Sequence, residues 1–302
     1  GNGMYPFPKY RRNCGTHCRP DIVSYFFLLF FIFTVLPVLL SVVLSFTTFD
    51  MINFPKFIYF DNYIRLFLDD DIFLLSIKNT MLFAAITGPV SYLMSLFFAW
   101  FINELKPKLR SIVTLVFYAP SIAGNVYIIW TIIFSGDQYG LANALLMKLN
   151  IISSPILWFQ DVDYIMPLVI IVALWTSLGT SFLTFIAGFQ VVDKSLYEAG
   201  AVDGLKNRWQ ELWYITMPSM QHMILFSVVM QIQSSFTIST ITTEMAGYPS
   251  VGYSVDTIVS HMHDVGAVRF EMGYASAIAV VLFLIMAGTR IILGKFLDIL
   301  GK

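Results

Sequence analysis

Charge is what this sequence has least of: 12% of its 302 residues are Asp, Glu, Lys or Arg, against about 25% in soluble domains. The polar stretches are too short to enclose a water-soluble core of their own. Cysteine is nearly missing too. Cys14 and Cys18, with His17 between them, fall short of the roughly four ligands of a zinc site and read as free thiols of a reducing compartment. No basic stripe with interleaved aromatics accompanies the net charge of -1, so nucleic acid is set aside as a partner. HExxH, GxSxG and paired carboxylates within apolar runs are lacking as well. The stretch GTRIILGKF at Gly288–Phe296 fails as a phosphate loop. Its glycines enclose five residues instead of four, and Phe296 stands where Ser or Thr must hold magnesium. Two clusters keep a metal-like composition. Asp69–Asp70–Asp71 reads as a helix-starting acidic run, since acids suit a helix N-terminus. His261-Met262-His263-Asp264 reads as a polar loop, with a membrane-embedded metal-dependent enzyme using His261, His263 and Asp264 as the alternative.

What is present is apolar surface: 57% hydrophobic and 16% aromatic residues, with a mean hydropathy of +0.74. The pattern predicts an all-α polytopic membrane protein with six spans, at about 22–46, 72–102, 112–134, 164–189, 220–241 and 274–297. The first run is long enough for about 37 Å of helix, a tilted bilayer crossing. It is too long for a signal-peptide core and is expected to stay in the mature protein. Residues 1–21 read as a basic arm and 22–302 as one transmembrane domain. Gly88-Pro89 is expected to kink the second span. Of the eighteen Lys and Arg, thirteen fall on the side holding both termini, the turn after the second span and the 193–218 loop. The positive side is cytoplasmic.

Within the spans ionisable residues are essentially missing at depth, although proton relays and ion-coupled carriers need them there. A stand-alone secondary carrier is the disfavoured alternative. Uncharged polarity takes their place: Asn125 in the third span, Trp175 and several hydroxyl residues in the fourth, and Gln231, Ser234 and Ser235 in the fifth. The last three share one helix face at i, i+3 and i+4. They are candidates for the path of a neutral, hydroxyl-rich solute, and equally for hydrogen bonds between packed helices.

The longest polar interruption is the 193–218 loop, with EAGAVDGLKNRWQELWYITMP at Glu198–Pro218. Folded as two short helices about Gly204, it would form a compact knob on which another protein could push. E-A-G-A-V-D-G-L, then W-Q-E-L and I-T-M-P, resembles the signature cytoplasmic loop of the permease subunits of binding-protein-dependent ABC importers. FDNYIRLF, SIKNTMLF, APSIAGNVYIIWTIIFSGDQYGLAN and MGYASAIAVVLF extend the resemblance to the carbohydrate-uptake, maltose-transporter-like branch over most of the chain.

The resemblance implies a type I ABC importer permease fold in a bacterial or archaeal inner membrane. Its partners would be a second homologous permease, ABC ATPase subunits, an extracellular solute-binding protein and a carbohydrate of the oligosaccharide class. The chain would not be catalytic and would carry no cofactor, ATP and magnesium belonging to the ATPase. Glu198 is carried over as the acidic contact to that ATPase, Ala199 as the small residue of close approach, and Asp203 and Gly204 as cap and turn. Gly200 stands where the family has a second Ala. A glycine inside a helix costs about 0.5–1 kcal/mol relative to Ala, which marks it as a point of local flexibility. Leu205, Met217 and the AGYP at Ala246–Pro249 are further departures, and they bear on the substrate subgroup.

Overall fold

The computed structural model of the chain describes residues 20–300, with side chains from 24 to 295. The arm with Cys14, His17 and Cys18 lies outside this range, as does Lys302. Among the described residues five helices are long and apolar enough to cross a membrane: Ser24–Leu44, Asp71–Asn103, Val162–Val191, Gln221–Ala246 and Met272–Lys295. Pro107–Ile122 and Tyr127–Ile133 meet the same length and apolarity together, bent by 81° at the break between them, and make six crossings when the pair counts as one span. The third span is therefore not the single helix expected over 112–134. Pro120 lies in its last turn, Ala123 is extended, and the Gly124-Asn125 that follows starts a new direction.

The fourth and fifth spans are interrupted as well. Val162–Thr176 gives way to Thr180–Val191 across Gly179, and Gln221–Phe236 to Ser239–Ala246 across Thr237-Ile238. The resumed helix carries the fifth span past its expected end at 241. The second span behaves in the opposite way. It runs as one unbroken helix over all 33 residues of Asp71–Asn103, with Pro89 inside it. Asp70 caps it, its Oδ1 accepting the Phe73 N–H at 2.9 Å.

The second span is the centre of packing, lying against the fourth and fifth. Phe83, Ile165 and Val169 are buried at one level, and Leu96, Ala99, Phe182 and Phe185 at another. Small hydroxyl residues let the helices approach: Ser76, Ser91, Ser95, Ser181 and Ser227 are all buried, and the Ser181 hydroxyl donates to the Ser227 carbonyl at 3.2 Å. Such contacts are the usual cement of membrane helices. The first span buries none of its residues and rests on the sixth. Between them lies a two-stranded antiparallel ribbon, β1 (Thr47–Thr48) and β2 (Lys56–Phe57), paired Thr47 to Phe57 and Thr48 to Lys56.

Candidate functional site

The three interruptions meet around a space lined by both uncharged polar and apolar side chains. A cavity of about 300 Å³ is lined by Thr87 and Ser91 of the second span, Ser121 and Gly124 at the bend of the third, Thr176 and Ser177 at the break of the fourth, and Gln231, Ser234, Ser235 and Thr237 of the fifth. A second cavity of about 290 Å³ shares Ser121, Thr176, Ser177, Gln231, Ser234 and Thr237 with it. Non-helical backbone at membrane depth is tolerated where it lines a water-filled space, so the breaks and the cavity explain one another. Every polar group on the wall is a hydroxyl, an amide or backbone; no Asp, Glu, Lys or Arg lines either cavity.

Of the five residues singled out for a solute path, Gln231, Ser234 and Ser235 line this space. Ser235 is half committed elsewhere, its hydroxyl donating to the Gln231 carbonyl at 2.9 Å. The other two stand apart from the wall. Asn125 accepts from the Tyr127 hydroxyl at 3.0 Å, and Trp175 packs edge-on against Trp130, ring centres 5.4 Å apart. The second span's contribution escaped the sequence reading, yet Ser76, Thr80, Thr87, Ser91 and Ser95 recur at helical spacing and are all buried. The buried Ser91 hydroxyl has no hydrogen-bond partner among the described residues.

The 193–218 loop folds as the two short helices foreseen. Asp193 caps Lys194–Val202 through the Ser195 N–H. The helix ends in a Schellman closure about Gly204, at φ +94°: the Leu205 N–H donates to the Gly200 carbonyl at 2.9 Å and the Gly204 N–H to the Ala201 carbonyl at 3.3 Å. A positive φ at this position favours glycine. Asn207 then caps Arg208–Glu211 through the Gln210 N–H. Gly200 is buried between the two arms. A Cβ there would come within 2.6 Å of Ile215 Cδ1 and 2.8 Å of Leu205 Cδ1. It is a packing position rather than the flexible point expected of it. The opposite face, with Glu198, Ala199 and Val202, is exposed.

Residues 91–298, most of the chain, match the family described as the binding-protein-dependent transport system inner membrane component. The chain belongs to this family. It is similar to the probable ABC transporter permease protein YesP of Bacillus subtilis, at 35% identity over 279 residues, 90% of this chain and 88% of the relative. It is also similar to the arabinooligosaccharides transport system permease protein AraP of Bacillus subtilis, at 28% over 263 residues, 86% and 82% of the two chains. Its fold is shared with a chain in the crystal structure of a bacterial alginate ABC transporter in complex with alginate pentasaccharide-bound periplasmic protein. The TM-score is 0.75 at 20% identity, covering 90% of this chain and 91% of that one.

In this multi-pass permease the histidine cluster has a different use from the one its composition suggested. Ile258–His263 is a helix, so His261 and His263 point apart: His261 is buried and His263 exposed. His261 Nε2 lies 2.9 Å from Asp70 Oδ2, which also accepts the Tyr274 hydroxyl at 2.7 Å. Burial alone would raise the Asp70 pKa, but the Tyr274 hydroxyl, the Phe73 amide and His261 outweigh it and hold the carboxyl below its ordinary value. Asp264 pairs with Arg269 at 2.6 Å. Among the described residues no group of three or more His, Cys, Asp or Glu is placed to hold a metal ion; of the proposed ligand set, His261 and Asp264 are engaged by separate partners and His263 is exposed. The acidic run at Asp69–Asp71 does start a helix, and Asp70 also ties that start to the helix Ile258–His263 and to the sixth span.

Proposed function

We propose that this chain is the membrane-spanning subunit of an ATP-driven importer that moves a carbohydrate, specifically an oligosaccharide, from an extracellular binding protein into the cytoplasm. The observation that carries the reading is the 193–218 loop. A capped helix, closed at Gly204 and packed through Gly200 on its second arm, presents Glu198, Ala199 and Val202 outward as one rigid face. A rigid projection transmits a push as a rigid-body displacement. The partner that pushes is an ABC ATPase, which holds the ATP and magnesium, with Glu198 meeting a basic residue there. A second homologous permease completes the pathway. Both termini and the loop face the cytosol, in keeping with the concentration of basic residues on that side. ATP binding closes the motor subunits, the loops move together, and the cavity turns outward to take the solute from the binding protein.

Carbohydrate as cargo is supported by the cavity wall, whose hydroxyls and amides suit a hydroxyl-rich solute, and by the cargo named for AraP and the alginate transporter. The test is solute-stimulated ATPase activity of the reconstituted complex before and after Glu198→Arg. Stimulation is expected to be lost, and its survival unchanged would remove Glu198 from the contact.

A further inference from the structure

The coupling loop is continuous in sequence with the fourth and fifth spans, one on either side of it, so its movement reaches them along the chain. It has no such link to the second span. Yet the second span is the one cavity-lining helix without a break, and it spans about 50 Å from Asp70 at one end, past Thr87 and Ser91 at the cavity, to Trp100 and Asn103 at the other. A rod of this kind moves the cavity wall and the outer cluster together, provided something takes hold of its loop-side end.

Two adjacent side chains of the loop's second arm do so. The Trp209 ring lies 5.1 Å from that of Trp100 and 6.0 Å from that of Phe97, measured between centres. Arg208 reaches Glu104, the residue after the second span, at 3.5 Å while also pairing with Glu211 at 2.7 Å. The Arg208–Glu104 pair is largely exposed and weakened by solvent and salt, so the aromatic contact is the firmer of the two. Leu212, one turn on, is buried with Leu96 and Ala99 and belongs to the core that the fold itself requires. Trp209, 49% exposed, does not.

We propose that Trp209 is the positioning residue through which displacement of the coupling loop is delivered to the second span, and so to the cavity wall. The inference rests on the loop being the ATPase contact. In the complete importer reconstituted in vesicles, Trp209→Ala is expected to lower the solute imported per ATP hydrolysed by about fivefold or more, the size of a typical coupling between sites. Co-purification of the ATPase subunit should persist. Trp209→Phe, which keeps an aromatic ring, is expected to restore the ratio to within about twofold. An unchanged ratio in Trp209→Ala would overturn the proposal.

Should Trp209→Ala fail to assemble, the pair Trp100→Cys and Trp209→Cys, made with Cys14→Ser and Cys18→Ser, gives the answer. Bridging the two thiols with a short cross-linker should raise the solute-to-ATP ratio over that of the unbridged protein, and no gain from bridging would overturn the proposal. Failure of the underlying reading looks different, since stimulation would then survive Glu198→Arg in the otherwise wild-type chain.

Discussion

Gly200 and Gly204 lie four residues apart and are glycine for separate reasons. Gly204 holds φ at +94°, a conformation that costs an L-residue about 1–2 kcal/mol. Gly200 has helical neighbours and ordinary geometry, and its reason is space: the nearest atoms to an added Cβ are the methyl ends of Ile215 and Leu205. Those ends can turn aside for one methyl, and alanine gains about 0.5–1 kcal/mol of helix propensity. Gly200→Ala is therefore expected to leave the melting temperature in detergent nearly unchanged. Gly200→Leu, an overpacking change, should cost about 1–3 kcal/mol, and Gly204→Ala should cost more than Gly200→Ala. Equal loss from both alanine variants would remove the distinction.

Asp70 carries the pH dependence at this scale. Its pKa is depressed in the folded chain because Tyr274, Phe73 and His261 outweigh burial, so it contributes stability above the ordinary carboxylate range. That contribution is lost as pH falls through the lowered folded value. Asp70→Asn should flatten the acid limb of a stability curve, and an unaltered limb would show that Asp70 does not set it.

At the level of elements the interruptions matter most, and they differ in how far sequence announces them. The bend of the third span has Pro120 and Gly124 as signals, and the break of the fourth has Gly179; both were readable from breaker chemistry. The fifth has neither Gly nor Pro at Thr237-Ile238. There the Thr237 hydroxyl returns to the Gln233 carbonyl at 2.8 Å, a local competition with the helix that an apolar window does not register. The two-helix loop was legible because Gly204 is a local turn signal, while its caps Asp193 and Asn207 were not singled out. The Asp70–His261 pair was not, since the two lie 191 positions apart and periodicity holds no record of which loops meet. Gln231, Ser234 and Ser235 were legible as a face, but whether a face packs or opens depends on the neighbours' breaks. Ser234 is exposed in the cavity and, unlike Ser235, does not back-bond to Gln231. Ser234→Leu is thus expected to leave folding and basal ATPase activity intact and to reduce transport about tenfold by filling the path. Wild-type transport in this variant would assign the fifth-span face to packing.

For the whole molecule the decisive quantity is orientation. Counted along the six expected spans, the basic residues divide thirteen to five between the two sides, and the inside-positive bias acts through short loops of this kind. The fold adds a geometric constraint. The 193–218 loop stands at the Trp100 end of the second span and the Asp70 cluster at the other, so fixing the side of one fixes the other. Two positions report on opposite ends without disturbing packing: Val202 on the loop, 88% exposed, and Tyr139 beyond the third span, 81% exposed. In a chain carrying Cys14→Ser and Cys18→Ser, a membrane-impermeant thiol reagent added to intact cells should label Tyr139→Cys and spare Val202→Cys. Inverted vesicles should show the reverse. This pattern would put the loop where a cytoplasmic ATPase reaches it and the Asp70 cluster where a binding protein approaches. Labelling of Val202→Cys from outside would separate the loop from any cytoplasmic motor, whatever its likeness to a coupling helix.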